Sequence, residues 1–599
     1  MCGIIALFKS LGRPDSAEGD RAVLVGRDAM QRRGPDGEGF WRDDGVAMGH
    51  RRLSIVDLDP RAAQPMTSAC GRYVVVFNGE IYNYQSLRTE LIVHGATFAT
   101  TSDTEVILAL FAREGEAMLR RLHGMFALAI WDRETKQAFV ARDAYGIKPL
   151  YIGVSPQGVW VASQVKALIK TGKLSKEGDP KGQASFWMLG SVSEPYTWYR
   201  DIRALPSGHC AWIRDGRVAS QRCWFDVGDA WRASAERPVG RDQAVGVVAA
   251  ALRESVVRHL IADVPVGVFL SGGIDSGALA ALMVEAGAVD LQGVTIAYDE
   301  FSGTAEDEVP VARRIAEHYG IKHHVRRVGE VEFLDDLPRI LSAMDQPSID
   351  GVNTWYAAKA AAECGLKVVV SGVGGDEMFL GYGHFGTLPD MVRRWNMARS
   401  IPGVPAIAAV AASWQAGRSG NGRWRHAPQW GRTVGGAWWL RRSLFAPEDL
   451  SDLMGPAVAH EVLASFDAEQ AVLEMSGPTP EDGTLALAQI ESMTYMRNQL
   501  LRDSDWASMD HSVELRTPLV DSHLLTTVIP ALTHFPHFPG KRLLAEAPIR
   551  PLPEEIISRR KTGFGIPTGQ WLANRSPDQP WNGMRSWARE VVSHYDGKA

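Results

Sequence analysis

The chain opens Met1-Cys2-Gly3-Ile4-Ile5, so loss of the initiator methionine would leave a residue that carries a thiol and a free α-amine together. An α-amine titrates near ~8, and its neutral fraction can take the thiol proton directly or through a water. On these five residues alone, an incidental cysteine beside a frayed terminus is the better reading. Two glycine loops further along change the balance. Ser271-Gly272-Gly273-Ile274-Asp275-Ser276 follows a β-branched run and opens a helical pattern. Its glycines allow close backbone approach to a phosphate, to which helix N-terminal amides and the Ser271 and Ser276 hydroxyls can donate. Asp275 supplies a carboxylate for magnesium, a hard cation that favours oxygen ligands and substrate phosphates. No GxxxxGK[ST] occurs, which excludes the P-loop of kinases and GTPases. Ser371-Gly372-Val373-Gly374-Gly375-Asp376-Glu377 follows a second apolar run and offers Asp376 as a second magnesium ligand. Alone it is a weak glycine turn; paired with the first loop at a neighbouring strand end it gains weight.

The elements that must position these groups fall into two patterns. Up to about residue 225 the chain is β-rich with interspersed helices, its apolar runs (73–77, 126–131) divided by Gly, Asp and Asn turns. Residues 103–114 predict an amphipathic helix with an aspartate in capping position. From 226 to 240 the sequence turns irregular and polar, as a linker would. Beyond it, helix and strand alternate: helix near 242–261, strand 264–270, helix 276–286, strand 293–297, helix 307–319, strand 367–370. That order predicts a doubly wound parallel α/β sheet. Residues 385–440, rich in Trp, Arg and Gly, fit no strand of it, and 482–512 is again helical in period. The expected domains are therefore 1–225 and 240–599.

Composition narrows the function. A chain of 599 residues exceeds what one core organises, and its 45% apolar and 22% charged fractions are those of a globular protein. The net charge of −6 with scattered basic residues implies no nucleic-acid partner. No apolar run approaches the ~20 residues needed to span a bilayer, and no signal-peptide pattern opens the chain, so no membrane partner and a cytoplasmic location are expected. Five separated cysteines with no CxxC pair offer neither a zinc knuckle nor a disulfide framework, and a reducing compartment suits a chain that needs one live thiol.

Taken in order, MCGI, RGPD (33–36), RLSIVD (52–57), FNGEIYNY (77–84), GIKPLY (146–151), SGGIDS, GDE (375–377), RTPLVD (516–521) and RRKTGFGIP (559–567) resemble the glutamine-hydrolysing asparagine synthetases of the class-B, bacterial type. The resemblance covers nearly the whole chain. It implies an αββα N-terminal-nucleophile glutaminase domain followed by an ATP-pyrophosphatase domain, whose pyrophosphate loop SGG[IL]DS resembles. It also implies ATP and Mg2+ as cofactors and brings the expectation of a homodimer. Carried over residue by residue, Cys2 is the nucleophile, and the Asn78 side chain and Gly79 N–H form the oxyanion hole. Arg52 holds the glutamine α-carboxylate; Glu80 and Asp103 receive its α-ammonium. Adenine contacts fall near Leu270 and Ile296, Ser371 and Gly372 close around the nucleotide, and Lys561 stabilises the oxyanions of adenylation and aminolysis. Arg33 and Lys148 are expected to hold turns or the contact between domains.

Two positions depart from the family pattern. Val373 stands where many members carry a carboxylate able to deprotonate ammonia, and Gln164 replaces a glutamate in the ASE[IM]KAL phrase. Neither touches the thiol set or the pyrophosphate loop, but both leave the acceptor open. Asparagine formation from aspartate, ATP and glutamine is the first reading, with water or Glu377 taking the proton. An amidotransferase of the same architecture acting on a sugar uronic acid or a peptide side chain is the second. A non-catalytic relative is the third, opposed by the intact Cys2, SGGIDS, Asp376 and Lys561.

Overall fold

The computed structural model describes residues 1–10, 17–237, 239–532, 540–559, 565–575 and 583–595. Among them, the first half carries strands β1 (Gly3–Lys9), β2 (Gly37–Asp43), β3 (Val46–Arg52), β4 (Met66–Thr67), β5 (Tyr73–Ile81), β6 (Gly124–Asp132), β7 (Gln137–Arg142), β8 (Tyr151–Ser155), β9 (Gly158–Ala162), β10 (Ile202–Ala204), β11 (His209–Arg214) and β12 (Arg217–Cys223). They form two six-stranded antiparallel sheets, ordered β10-β8-β9-β1-β3-β2 and β12-β11-β7-β6-β5-β4.

Strand residues alternate in facing, and here both faces are covered. Ile4, Ala6 and Phe8 meet Val74, Val76 and Ala127 between the sheets. Ile5 and Leu7 face the outer helices Ala17–Asp28 and Val165–Lys170. Val75 and Phe77 face helix Asp103–Glu114 on the opposite side. Double coverage explains why these strands read as continuous apolar runs, and the result is an αββα sandwich.

The second half is built on β13 (Val266–Phe269), β14 (Gln292–Tyr298), β15 (Lys322–Val328), β16 (Val368–Val370) and β17 (Glu514–Arg516), all parallel and ordered β15-β14-β13-β16-β17. The chain builds outward from β13, then returns to place β16 on its other side. That reversal opens a crevice beyond the carboxyl ends of β13 and β16, the usual ligand position in such sheets. Both glycine loops lie there.

Several expectations are corrected. The segment expected as an irregular linker holds a helix, Val227–Ala235, whose Trp231 is fully buried. Residues 385–440, expected to fit no strand, indeed hold none and are helical, with His384–Ala398, Val404–Ser419 and Val434–Arg442 as the main helices. The helical stretch near 482–512 is interrupted by a π-helical segment, Ser492–Leu501. Asp103 does not cap its helix: Ser102 does, accepting the Thr104 N–H at 3.1 Å.

The halves are joined by buried polar contacts. Asp345 caps helix Val165–Lys170 from across the junction, accepting the Val165 and Lys166 N–H groups at 3.0 Å each; the N-cap residue Gln164 makes no capping bond with its side chain. Arg33, 2% exposed, holds Asp505 through Nη1 and Nη2 at 2.6 and 3.1 Å. Lys148 lies 4.0 Å from the same carboxylate. Both basic residues therefore serve the contact between the two halves.

Candidate active site

Strand parity builds the thiol pocket. Cys2 shares the inward face of β1 with Ile4 and Ala6, while Asn78 and Glu80 continue the inward face of Val74 and Val76 along β5. Thiol and amide thus meet at one end of the sandwich. The Cys2 N–H donates to Asn78 Oδ1 at 2.9 Å, which leaves the fully buried Asn78 Nδ2 with no hydrogen-bond partner. A buried donor left unmade costs roughly 1–3 kcal/mol, so it marks a place where an acceptor belongs. Gly79 is required by packing: a Cβ there would run into the Met125 carbonyl oxygen of β6.

Around this pair stand the other residues expected from the sequence. Arg52 ends β3, the neighbour of β1, and donates to the carbonyl oxygens of Asp57 and Asp59, which fix its guanidinium. Asp103 accepts the Ile81 N–H at 3.0 Å, beside Glu80, and burial raises its pKa to about 6. Glu80 is raised well above the carboxylate range by burial and by Glu514 and Asp103 nearby. Burial likewise pushes the Cys2 thiol up, with the N-terminal ammonium opposing it. Met1 is itself buried, its side chain against Leu53, Ile55 and Met509 and its ammonium 2.8 Å from Glu514 Oε2.

The sequence reading missed the role of β17. Arg516, fully buried, donates to Glu514 Oε1 at 2.6 Å and lies 3.9 Å from Glu80 Oε2. Its carbonyl oxygen accepts the Ser371 N–H at 2.9 Å. One three-residue strand thus touches both the thiol pocket and the second glycine loop. Because Arg516 lies inside RTPLVD, the motif was visible, but its position between two sites needs the fold.

At the crevice, helix Ile274–Glu285 begins directly after Gly273, with no side chain capping its N-terminus. The Ser271 and Ser276 hydroxyls lie 2.9 Å apart and brace the turn, Ser271 Oγ also accepting the Gly273 N–H at 3.1 Å. The two glycine loops are in contact: a Cβ at Gly372 would stand 2.8 Å from the Asp275 Cβ. Asp275 and Asp376 converge on one cation, the Lys541 ammonium, which pairs with Asp275 and lies 3.0 Å from Asp376 Oδ1. Burial would depress the Lys541 pKa, but the two carboxylates outweigh it and hold it above its ordinary value. Lys541 opens helix Gly540–Glu546; a Gly-Lys pair at a helix start was its only signal in the sequence.

Two carboxylates already focused on a cation fit magnesium, which takes one or two protein carboxylates and fills its shell with water and phosphate oxygens. Among the described residues no third acidic, His or Cys side chain joins them in a metal cluster. Ile296 borders a narrow cleft with Tyr298, Phe301 and Glu308. Leu270 is buried, its N–H bonded to Val294 O and its carbonyl to Thr295 Oγ1. Val373 packs against the core. Beside it, Glu377 is 1% exposed, accepts the Tyr382 hydroxyl at 2.7 Å, and is raised to about 7 by burial and by Asp376. Lys561 lies outside the described residues, but its neighbour Arg559 reaches the first loop, Nη1 standing 3.4 Å from Gly272 O.

Comparison with known proteins matches residues 1–224 to a glutamine amidotransferase domain and residues 247–595 to asparagine synthase. Bacillus subtilis asparagine synthetase [glutamine-hydrolyzing] 1 is 29% identical, across 99% of this chain and 90% of its own length. A Mycobacterium tuberculosis protein named provisionally as a glutamine-hydrolysing asparagine synthetase is 33% identical, across 96% of this chain and 88% of its own. A Gibberella zeae amidase, chry2, is 31% identical across 64% of this chain and 60% of its own length.

Proposed function

We propose, from the premise that this chain belongs to the asparagine synthase family, that it transfers the amide nitrogen of glutamine to aspartate, with residues 1–225 as glutaminase and 240–599 as synthetase. The observation that carries the reading is β17, whose Arg516 meets Glu80 with its side chain and the phosphate-loop Ser371 with its backbone. Two separate chemistries on one short strand are what a nitrogen-transfer enzyme needs.

In the first half-reaction, Cys2, freed of Met1, loses its thiol proton to its own α-amine and attacks the carboxamide carbon. The resulting oxyanion takes the Asn78 Nδ2–H that otherwise lacks an acceptor, together with the Gly79 N–H; such donors are worth about 3 kcal/mol each. Ammonia leaves with the proton, and water cleaves the glutamyl thioester to glutamate. Arg52 grips the substrate α-carboxylate through its planar fork, and Glu80 with Asp103 takes the α-ammonium.

In the second half-reaction, ATP lies over the crevice, its phosphates against Ser271, Gly272, Gly273 and Ser276, with Ser371 and Gly372 closing from the other loop. Ile296 borders the adenine site, with Leu270 packed beneath. Asp275 and Asp376 would hold Mg2+, which supplies charge neutralisation of the triphosphate when bound. The acceptor carboxylate displaces pyrophosphate to give an acyl-AMP; ammonia adds to its carbonyl carbon, AMP leaves, and the surplus proton goes to Glu377, a buried base with a pKa near neutrality. Lys541 neutralises the phosphates from the synthetase side, and Lys561, by its motif, stabilises the oxyanions.

One observation favours a second reading of the acceptor. Val373 turns an apolar side chain where a carboxylate would stand in many relatives, and one relative is named an amidase. The same chemistry on a uronic acid or a peptide carboxylate would use the same residues. Pyrophosphate release with ATP and glutamine across a panel of carboxylic acids decides: aspartate is expected to give the highest rate, and release only with another acid rejects asparagine formation.

A further inference from the structure

Neither half-reaction uses residues 391–447. This stretch holds nine arginines and no aspartate, glutamate or lysine, in a chain whose net charge is −6. Arg393, Arg394, Arg399, Arg418, Arg425 and Arg432 are exposed. The segment also carries the densest exposed apolar surface of the described residues. Helix Val404–Ser419 buries only Ala412 and Ala416. Its other face presents Ile407 and Val410, each 71% exposed, and Trp414, 61% exposed. These stand at i, i+3 and i+7, one outward stripe. Met397 and Ile401, just before the helix, are exposed as well.

A helix apolar on both faces ordinarily lies within a core; this one shows its larger residues to solvent. Arg418 stacks over Trp414 at 5.3 Å, so an indole and a guanidinium share the stripe. At 16 residues the helix is too short to span a bilayer, and no described helix is long and apolar enough to do so. Arg418 is the one charged residue of the helix, so an apolar stripe set in the headgroup layer would draw its charge on lipid phosphates from the flanking Arg399 and Arg425 as well.

Against the expectation of no membrane partner drawn from the lack of a spanning segment, we propose that this face docks the enzyme peripherally on an anionic lipid bilayer, with Ile407, Val410 and Trp414 in the headgroup–acyl boundary and the arginines on the lipid phosphates. The charge selects this occupant. A second copy seated on the same face would set arginines against arginines, the nearest acids, Asp390 and Glu448, being already paired with Arg393 and His426. A nucleic acid would match the arginines but leave the aliphatic stripe facing phosphate and water.

Flotation of the full-length protein with vesicles tests it. Phosphatidylcholine containing phosphatidylglycerol is expected to carry the protein upward at low salt and release it at about 0.5 M salt, while phosphatidylcholine alone leaves it behind. Arg418→Gln with Arg425→Gln should weaken partitioning about fivefold per lost charge. Ile407→Glu with Trp414→Glu should abolish it while glutaminase activity stays at the wild-type rate. Failure to float with anionic vesicles overturns the proposal, as does equal, salt-insensitive partitioning into neutral ones. A concentration-dependent dimer that the two glutamates split, without vesicle binding, overturns it in favour of a second copy.

Discussion

The thiol pocket and the nucleotide crevice are assembled by different means. The pocket lies between two sheets, its groups placed by strand parity and held by buried partners: Asn78 on Cys2, Arg52 under two carbonyls, Asp103 on the Ile81 amide. The crevice is made from loops beyond the carboxyl ends of interior strands β13 and β16 and gathers residues from distant parts of the chain, Asp275, Asp376 and Lys541. The first is set before substrate arrives. The second is held by an ion pair that, under the proposed function, phosphate and magnesium would rearrange. This predicts different sensitivity: single changes in the pocket should act only on glutamine, and single changes in the crevice only on the acid.

The largest separation should come from Cys2→Ala. Glutamine-dependent turnover is expected to fall by about 10^4-fold or more, while synthesis from added ammonia persists near the wild-type rate. Loss of both in a folded variant would break the comparison, because the two centres could then not act separately. Mass spectrometry bears on the same point: active enzyme should begin at Cys2, and normal glutamine use by protein that retains Met1 would remove the α-amine from the mechanism.

Next in size is a matched pair. Asn78→Ala should lower kcat for glutamine hydrolysis roughly 10²–10³-fold, the usual consequence of losing one oxyanion donor, with pyrophosphate release from ammonia unchanged. Lys541→Ala should do the reverse, lowering pyrophosphate release and sparing glutaminase activity. If Lys541→Ala left pyrophosphate release intact, the cation between the two aspartates would be a structural substitute and not part of the phosphate site.

What the residues alone disclosed follows the same division. In the first half, runs such as 73–77 and 126–131 showed a β-rich region because β5 and β6 are buried along nearly their whole length. Its αββα layering came only with the family resemblance, since Cys2, Arg52, Asn78 and Asp103 meet from separate elements. In the parallel half, β13, β14 and β16 were legible, but β15 and β17 were not. Lys322–Val328 reads KHHVRRV, an edge strand whose charges hide its period, and Glu514–Arg516 is three residues long. Missing β17 hid the contact between the centres, since nothing local in Glu514 or Arg516 says that one holds the Met1 ammonium and the other faces Glu80. Lys541 was missed for a related reason: its partners are some 266 residues away in sequence for Asp275, and no periodicity reports such a pair. The cap of helix Asp103–Glu114 was misplaced by one residue because Ser and Asp both accept N-terminal amides.

The acid limbs contributed by Asp103 and by Glu377 to their separate reactions should lie about one pH unit apart. Asp103 has a pKa raised by burial to about 6, and only its carboxylate can receive an ammonium. The kcat/KM for glutamine, which reports the free enzyme, should therefore fall about tenfold per unit below the ~8 of the Cys2 α-amine and more steeply below about 6, where Asp103 protonates as well. Asp103→Asn should lower kcat/KM throughout and remove the steeper fall below about 6, leaving the α-amine limb in place. Glu377, raised to about 7, is a base only above that pH, so wild-type aminolysis should lose ground to Glu377→Gln-insensitive background as pH falls through 7. Coincident limbs would mean that a single group governs both centres.

The smallest effect isolates how the pocket is held. Ser102 accepts the Thr104 N–H and so ends the helix whose first residue is Asp103. Ser102→Ala should cost about 1 kcal/mol of stability, the usual worth of an N-cap, read as a lower midpoint in urea. Because Asp103 is also fixed by the Ile81 amide, the KM for glutamine should rise only about twofold to threefold, less than the whole cap energy would produce if it all reached the substrate. The crevice, which shares no element with this helix, should release pyrophosphate at the wild-type rate. A larger rise in KM without a shift in the urea midpoint would show that the hydroxyl itself meets glutamine, and the pocket would then depend on a loop residue as the crevice does.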